Sequence, residues 1–346
     1  MNPAELSLSD AILTQQIRLF RFTAGERKKV FDLLMSMQAE LKYKLSNGLS
    51  DYGKARVRVI LKEAQEIIAH GYNGIQSELD FTDLAKHEAE ITAQAFAAIG
   101  LDASLPTEAV LKALVNGSLI EGAPSAAWWA KQAEDTAFKF ASQVRQGIVQ
   151  GETLQQIIRR ITGSARLGTT GIMDISRRNA SALVHTSIMQ VSGDSRLATF
   201  RANSDIVKGV RQLSTLDGHT SQICIAYSGA SWDLAGRPIL GTKLPFNGGT
   251  PRHFNCRSVL VPITKTYREL GLDIDEIPTG TRASDEGQIR ADITFSEFLK
   301  DKPKVFVDDL LGKGRAELWR KGTITLQDLL GQDGRPLTLK QLRGEA

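Results

Sequence analysis

Apolar residues recur at helical spacing through the first part of the chain. Between residues 24 and 44 they return every three or four positions, and the same stripe reappears over residues 57–68. Gly48, and then Gly71 to Gly74, interrupt the pattern before a third stripe over roughly residues 77–99. The pattern predicts long amphipathic helices in an antiparallel hairpin or bundle. The stripes would form its core, although such an arm could equally bury a stripe on a partner protein.

Capping residues place further helices along the next part of the chain. Thr107, Ser125 after Pro124, and Thr153 each precede a run with helical apolar spacing. Asp174 precedes another, which we expect to begin at Ile175 and to continue to about residue 202. Between the last two runs, residues 162–171 are rich in Gly, Ser and Thr, so we expect a domain boundary or a mobile loop there.

Two short runs, residues 206–213 and 259–262, have the character of β-strands. Between them the sequence indicates a turn, a helical turn or two, and a loop rich in Gly and Pro. We expect the two strands to pair in one sheet and to close a compact small domain. This stretch also holds both cysteines and two of the five histidines: Cys224, Cys256, His219 and His253.

The pattern as a whole predicts a mainly α, α+β protein in three segments. Residues 1–165 form a helical arm or bundle, and residues 172–265 form a small α+β domain with a short antiparallel sheet. Residues 266–346 form a polar linker, to about Gln288, followed by a helical tail with little core of its own. At 346 residues the chain is long for a single core.

Composition narrows the class of protein only a little. The 43 basic and 39 acidic residues leave a net charge of +4, which permits contact with nucleic acid without requiring it. No window approaches the run of about 18 apolar residues that a membrane span needs, and the N-terminus lacks the pattern of a signal peptide. Two cysteines are too few for a disulfide framework, so we expect folding in a cytoplasm.

The cysteines and histidines form one candidate site. Cys224, His253, Cys256 and His219 supply the number and kind of ligands that a tetrahedral zinc ion takes. Neither half of the stretch, however, contains the close pair of cysteines that usually marks a structural zinc site. We therefore favour the alternative in which Cys224 faces the core and His253 hydrogen-bonds a backbone carbonyl. On this interpretation no metal and no cofactor is expected.

A second candidate group surrounds Asp217. Asp217 and Gly218 form a turn dipeptide, and Thr220 is placed to cap the helix that follows. If the two strands are neighbours, Arg257 can form a two-pronged ion pair with Asp217. Catalysis by Asp217 with His253 as a base is conceivable, but no nucleophile motif accompanies them. We favour a polar clasp that fixes the loop to the sheet.

Two other kinds of site find less support. The Gly residues match neither a Walker-type phosphate loop nor a dinucleotide-binding fingerprint. The basic clusters are interspersed with acids, so we expect solvated helix faces rather than a track for DNA.

The strings STLDGHTSQIC and TPRHFNCRSVLVPI resemble the two-part motif of the Mu F-like minor head proteins of tailed bacteriophages. That motif is T-x-D-x-R-T-S/C-x-x-C, then P-x-H-x-x-C-R ending in a strand and Pro. The helix upstream of the motif is similar to the helix that precedes the motif in the family, with Ala180 and Thr186 in matching places. The C-terminal segment from Leu311 is similar to the segment often attached to this domain in phage chains. The resemblance begins near residue 140, and two positions depart from it: His219 replaces the usual Arg, and Ser221 replaces the first Cys of Cys-rich members. The motif positions are Thr215, Asp217, His219, Thr220, Cys224, Pro251, His253, Cys256 and Arg257.

The resemblance implies a structural protein of the phage head rather than an enzyme. It implies a few copies near the portal, inside the shell and close to packaged DNA, after assembly in the host cytoplasm. The expected partners are the portal protein, a scaffold or the major capsid protein, with possible nonspecific contact to phage DNA.

Two alternatives remain open. One is an ADP-ribosyltransferase-like or nuclease-like enzyme built on Arg211 with Ser214 and Thr215 and a downstream acid. After that strand the sequence contains no E-x-E pair, only the adjacent Asp285 and Glu286. The other is a nonspecific DNA-binding accessory protein.

Overall fold

The computed structural model describes residues 3–49, 53–266, 268–271, 281–284, 287–290 and 294–344. Helices cover 63% of the chain and strands form only small antiparallel sheets, which confirms the mainly α, α+β class. Among the described residues, no helix is both long enough and apolar enough to cross a membrane. The chain divides into two compact units that interleave along the sequence. The three consecutive domains proposed from the sequence therefore stay a prediction.

The first unit, called here the helical unit, comprises Phe20–Phe81 and Gly117–Ile188. Its main elements are most of α1 (Pro3–Gly48), then α2 (Lys54–Glu78), α5 (Ser125–Val149), α6 (Leu154–Thr162) and the first half of α7 (Ile172–Ala202). A two-stranded ribbon, β1 (Leu119–Ile120) with β2 (Ala123–Pro124), precedes α5.

The predicted stripes are the core of the helical unit. Leu34 and Leu41 of α1 and Ile68 of α2 are fully buried, and Trp129 of α5 is 1% exposed. The ring of Trp129 lies 6.2 Å from that of Tyr72, whose hydroxyl is 3.0 Å from Thr136 Oγ1. These residues are therefore already covered by the chain's own helices.

The glycines of α2 do not end that helix, contrary to the sequence prediction. It continues through Gly71 and Gly74 to Glu78. A Cβ atom at position 71 would lie 2.7 Å from Met37 Sδ, so glycine lets α1 and α2 approach closely there. Tertiary packing of this kind outweighs the helix penalty of glycine, which is about 1 kcal/mol.

Two helix starts also differ from the sequence prediction. The first helix begins at Pro3 rather than near Ala24. Helix α7 begins at Ile172, so Asp174 lies inside its first turn, where its Oδ2 atom accepts the Gly171 N–H at 2.9 Å.

The second unit, called here the sheet unit, comprises Met1–Leu19, Thr82–Asn116 and Met189–Ala346. Its helices before the sheet are the start of α1, α3 (Thr82–Ala97), α4 (Glu108–Gly117) and the end of α7. The four-stranded antiparallel sheet has the order β5-β4-β3-β6. Its strands are β3 (Val207–Leu213), β4 (Ser231–Asp233), β5 (Pro238–Ile239) and β6 (Val259–Thr264), and the short helix α8 (Gln222–Tyr227) lies between β3 and β4 in sequence.

The pairing of the two predicted strands is confirmed. Val210 lies opposite Pro262, and Leu213 lies opposite Val259. Strand β6 is an edge strand, which tolerates a proline because one side of its backbone needs no partner. This pairing brings the residues that follow β3 next to those that precede β6, and both halves of the motif meet there.

The C-terminal helices belong to the core of the sheet unit. They are α9 (Phe295–Lys300), α10 (Lys304–Leu311), α11 (Lys313–Arg320) and α12 (Leu339–Leu342). Phe295 and Leu311 are 1% and 0% exposed, in the same apolar cluster as Val210 of the sheet. The tail therefore shares the core of the sheet rather than forming a separate one.

Part of the predicted linker lies outside the described residues, namely 267, 272–280 and 285–286. Within the described part, β7 (Thr281–Ser284) and β8 (Gly287–Arg290) pair as an antiparallel ribbon, so this part is not a structureless linker.

Candidate functional site

Asp217 organises the turn that follows β3. Its Oδ1 atom accepts the backbone N–H of His219 at 2.9 Å. The Thr220 hydroxyl lies 2.5 Å from the carbonyl oxygen of Thr215 and 3.1 Å from the same Oδ1. An Asp that binds the N–H two residues on is the usual way to stabilise a tight turn.

Arg257, just before β6, completes this group as the sequence predicts. Its Nη1 donates to Asp217 Oδ2 at 2.6 Å and its Nη2 donates to Oδ1 at 2.8 Å. Such two-pronged pairs are the strongest form of charge-assisted hydrogen bond. The pair joins the two halves of the motif, so the polar clasp (Thr215, Asp217, Thr220 and Arg257) is present.

Two opposing effects set the pKa of the Asp217 carboxyl. Partial burial by itself would raise it, but the hydrogen bonds from Arg257 and the His219 N–H, together with the charge of Arg257, lower it below its usual value. The same contact with Asp217 raises the pKa of Arg257. The clasp therefore holds both groups in their charged forms.

The cap of α8 differs from the sequence prediction. Ser221, not Thr220, is the N-cap residue, and its Oγ accepts the Cys224 N–H at 3.2 Å. Thr220 is turned toward Asp217 instead, because a hydroxyl already used in the clasp is not available to the helix.

Cys224, His253 and Cys256 form a compact cluster in which their ligand atoms all lie within 4.8 Å of one another. Sγ of Cys224 is 3.2 Å from His253 Nε2 and 3.5 Å from Sγ of Cys256. His253 Nδ1 is 2.8 Å from the carbonyl oxygen of Phe254. The two cysteines are 2% and 1% exposed, while His253 is half-buried. The core-facing Cys224 and the carbonyl-bound His253 expected from the sequence are both found, but within one cluster.

The two thiols influence each other. A hydrogen bond from Cys224 lowers the pKa of the Cys256 thiol, and His253 lowers it further, against the effect of burial. The neighbouring Cys256 and burial raise the pKa of Cys224.

His219 is not part of this cluster. Its side chain is exposed, and its contact with the motif is through its backbone N–H. The four-ligand set that includes His219 is therefore not assembled. Pro251, two residues before His253, follows a cis peptide bond with Thr250.

Arg252 is a motif-loop residue that the sequence analysis missed. Its guanidinium carbon lies 3.4 Å from the centroid of the Tyr227 ring, and its Nε donates to Gln212 Oε1 at 2.6 Å. Burial lowers the pKa of Arg252 to about 10. The stacked cation joins the loop before β6 to α8 and to β3.

Arg211 and Ser214, on which the enzymatic alternative was built, both form hydrogen bonds within the protein. Arg211 Nε donates to Ser231 Oγ on β4 at 3.2 Å, and burial lowers the pKa of Arg211. Ser214 Oγ donates to the Cys224 carbonyl oxygen at 2.7 Å. Asp285 and Glu286 lie outside the described residues.

The site thus has the character of a structural α+β module in which polar contacts join a helix, a loop and two strands. Comparison with protein families agrees: residues 139–261 match the family described as Phage Mu protein F like protein. Residues 139–261 accordingly form a Mu F-like region, as the motif indicated. No match was found among curated proteins, and none among solved structures.

Proposed function

We propose that the chain is a minor head protein of a tailed bacteriophage, present in a few copies near the portal on the inside of the shell. The observation that carries the proposal is the Mu F-like match, together with the clasp in which Arg257 and Asp217 lock the two motif halves. The guanidinium of Arg257 and the carboxylate of Asp217 bind each other and so stabilise the fold. A site used for assembly needs such a rigid scaffold, whereas a catalytic acid needs access to substrate.

The apolar stripes of α1 and α2 are poor candidates for a contact with the portal, because the helical unit already buries them. Exposed apolar side chains on the same unit are the better candidates. Phe138 and Val149 of α5 are 74% and 86% exposed, and they lie three helical turns apart on one face. This surface takes the place of the alternative in which the arm buries a stripe on a partner protein.

A deletion in the phage that encodes the chain tests the assembly role. Without the chain, we expect fewer DNA-filled heads and a large loss of infectivity, restored by supply from a plasmid. With the chain, mass spectrometry of purified heads should find it at far lower copy than the major capsid protein. Heads of normal number and infectivity in the deletion strain would overturn the proposal.

The portal contact needs a separate experiment. Removing the first hundred or so residues is unsuitable, because Leu8 and Phe96 belong to the core of the sheet unit. Phe138→Asp and Val149→Asp in the full chain should weaken co-purification with the portal protein. Leu240→Asp, at a 69% exposed position of the sheet unit, is the matched control. Equal retention of all three variants would exclude this face.

A cleft of the sheet unit supports closeness to packaged DNA. It has a volume of about 840 Å³, and none of its described lining residues is acidic. Two of its cations have acidic partners: Lys243 is paired with Asp328, and Arg320 with Asp308. The basic residues that line it are Lys243, Lys300, Lys302, Lys304 and Arg320.

Filter binding measures this contact. We expect salt-sensitive retention of duplex DNA, weakened by Lys300→Glu with Lys304→Glu and unaffected by the equally exposed Lys62→Glu on the helical unit. Absence of retention at low salt would dismiss direct DNA contact while leaving the assembly role intact.

A further inference from the structure

Cys224, His253 and Cys256 are placed as ligands of one metal ion. In a tetrahedral zinc site with bonds of about 2.3 Å to sulfur and about 2.0 Å to nitrogen, ligand atoms lie roughly 3.5–3.8 Å apart. The observed separations from Cys224 Sγ are 3.5 Å to Cys256 Sγ and 3.2 Å to His253 Nε2. The third pair, Cys256 Sγ and the His253 ring nitrogen, lies within 4.8 Å, so side-chain shifts of no more than about an ångström would admit the ion.

The orientation of His253 is the one that a metal ligand requires. Its Nδ1 lies 2.8 Å from the Phe254 carbonyl oxygen, which can only accept, so Nδ1 carries the proton. The lone pair is therefore on Nε2, the nitrogen that faces Cys224. A second-shell bond of this kind to a backbone carbonyl is the common way to orient a ligating histidine.

The backbone around the ligands is also held in place. Cys224 lies in the first turn of α8, and the Cys256 N–H donates to the His253 carbonyl oxygen at 3.1 Å, which closes a tight turn between those two ligands. Asn255, inside this turn, has a left-handed φ of 60°. The three donors thus come from two short segments fixed by their own hydrogen bonds.

We propose that this cluster binds one zinc ion, with Cys224, His253 and Cys256 as its protein ligands. Soft thiolates with an imidazole favour zinc over magnesium or calcium. The fourth position is taken by an oxygen, either the Ser221 hydroxyl or water, because Ser221 Oγ lies 2.8 Å from His253 Nε2. The ion would tie α8 to the loop before β6, beside the Asp217–Arg257 pair.

Metal analysis of the untagged full chain, purified under reducing conditions, tests the proposal. We expect close to one zinc per chain, and cobalt in its place should give the thiolate charge-transfer and tetrahedral d–d absorption bands. Cys224→Ser and Cys256→Ser should each lower zinc affinity by more than about tenfold, since even loss of an outer-shell partner commonly costs that much. His219→Gln, the exposed histidine nearby, is the matched control and should keep the metal.

Ser221→Cys keeps the test decisive if the cysteine variants fold poorly. It completes a four-ligand site and should raise zinc affinity at least tenfold, with a stronger thiolate band from cobalt. Zinc should also raise the melting temperature of the wild-type chain, because an ion that binds the folded state stabilises it.

Three results would overturn the proposal. The first is a wild-type chain that contains no more metal than Cys256→Ser. The second is a cobalt spectrum without a thiolate band. The third is a Cys224–Cys256 disulfide, with no bound metal, in protein purified under reducing conditions.

Discussion

Arg257 and Asp217 lie forty positions apart in sequence and form two parallel hydrogen bonds, of 2.6 and 2.8 Å. Their side chains are 30% and 16% exposed, so the ion pair is only partly shielded from water. It connects the turn after β3 with the start of β6. The clasp is therefore a tertiary link that supports the Mu F-like motif.

Arg257→Ala should lower the free energy of unfolding by about 1–3 kcal/mol, because it leaves the partly buried carboxylate of Asp217 without its main partner. Urea denaturation measures the change. In a double-mutant cycle, Asp217→Ala should add little to Arg257→Ala. Lys321→Ala is the control, since its exposed helical pair with Glu317 is screened by solvent and contributes little to stability. Equal effects of Arg257→Ala and Lys321→Ala would contradict the clasp.

The contribution of Asp217 should depend on pH in a defined direction. Its pKa is lowered in the folded protein, so the stabilisation is fully present above the unfolded-state pKa of about 3.9 and is lost as the pH falls through the folded value. Melting curves of wild type and Asp217→Asn should thus differ most near neutral pH and converge in acid below about pH 4. A stability difference between wild type and Asp217→Asn that grows as the pH falls would contradict this prediction.

A buried ion pair in the sheet unit predicts a larger effect. Glu88 is 0% exposed and Arg196 is 3% exposed, with 3.6 Å between Glu88 Oε2 and Arg196 Nε. Burial lowers the pKa of Arg196, partly opposed by the charge of Glu88. Glu88→Leu should cost about 3–5 kcal/mol because it strands a buried cation.

The double substitution Glu88→Leu with Arg196→Leu is the control for this prediction. It removes both charges and should recover much of the loss, as replacement of buried ion pairs by apolar residues often does. Denaturant midpoints compare the variants. A double variant at least as unstable as Glu88→Leu would show that the unpaired charge is not the cause of the lost stability.

The two glycines of α2 should respond differently to alanine. A Cβ at position 74 meets no atom within 4 Å, so Gly74→Ala should raise stability by about 1 kcal/mol through helix propensity alone. At position 71 the Cβ would lie 2.7 Å from Met37 Sδ, so Gly71→Ala should gain less or lose stability. Thermal melts of Gly74→Ala and Gly71→Ala measure the two effects. Equal gains in stability from both variants would refute the close packing of α1 on α2.

The sequence by itself determined the features that depend on local pattern. Apolar periodicity predicted the helical stripes, and two strand-like runs predicted the pairing of β3 with β6. That pairing in turn placed Arg257 beside Asp217, because a guanidinium and a carboxylate match in geometry once their strands are neighbours. The motif strings also predicted the family.

Only the tertiary structure decided the features that depend on contacts between distant residues. Helix α2 passes through Gly71 because packing against Met37 outweighs a local penalty, and it continues past Gly74 to Glu78. The stacking of Arg252 on Tyr227 has no local signature, because it joins a loop to a helix far away in sequence. The same holds for the thiol–imidazole cluster: its spacing lacks a close cysteine pair, and the fold alone brings the three donors within 4.8 Å.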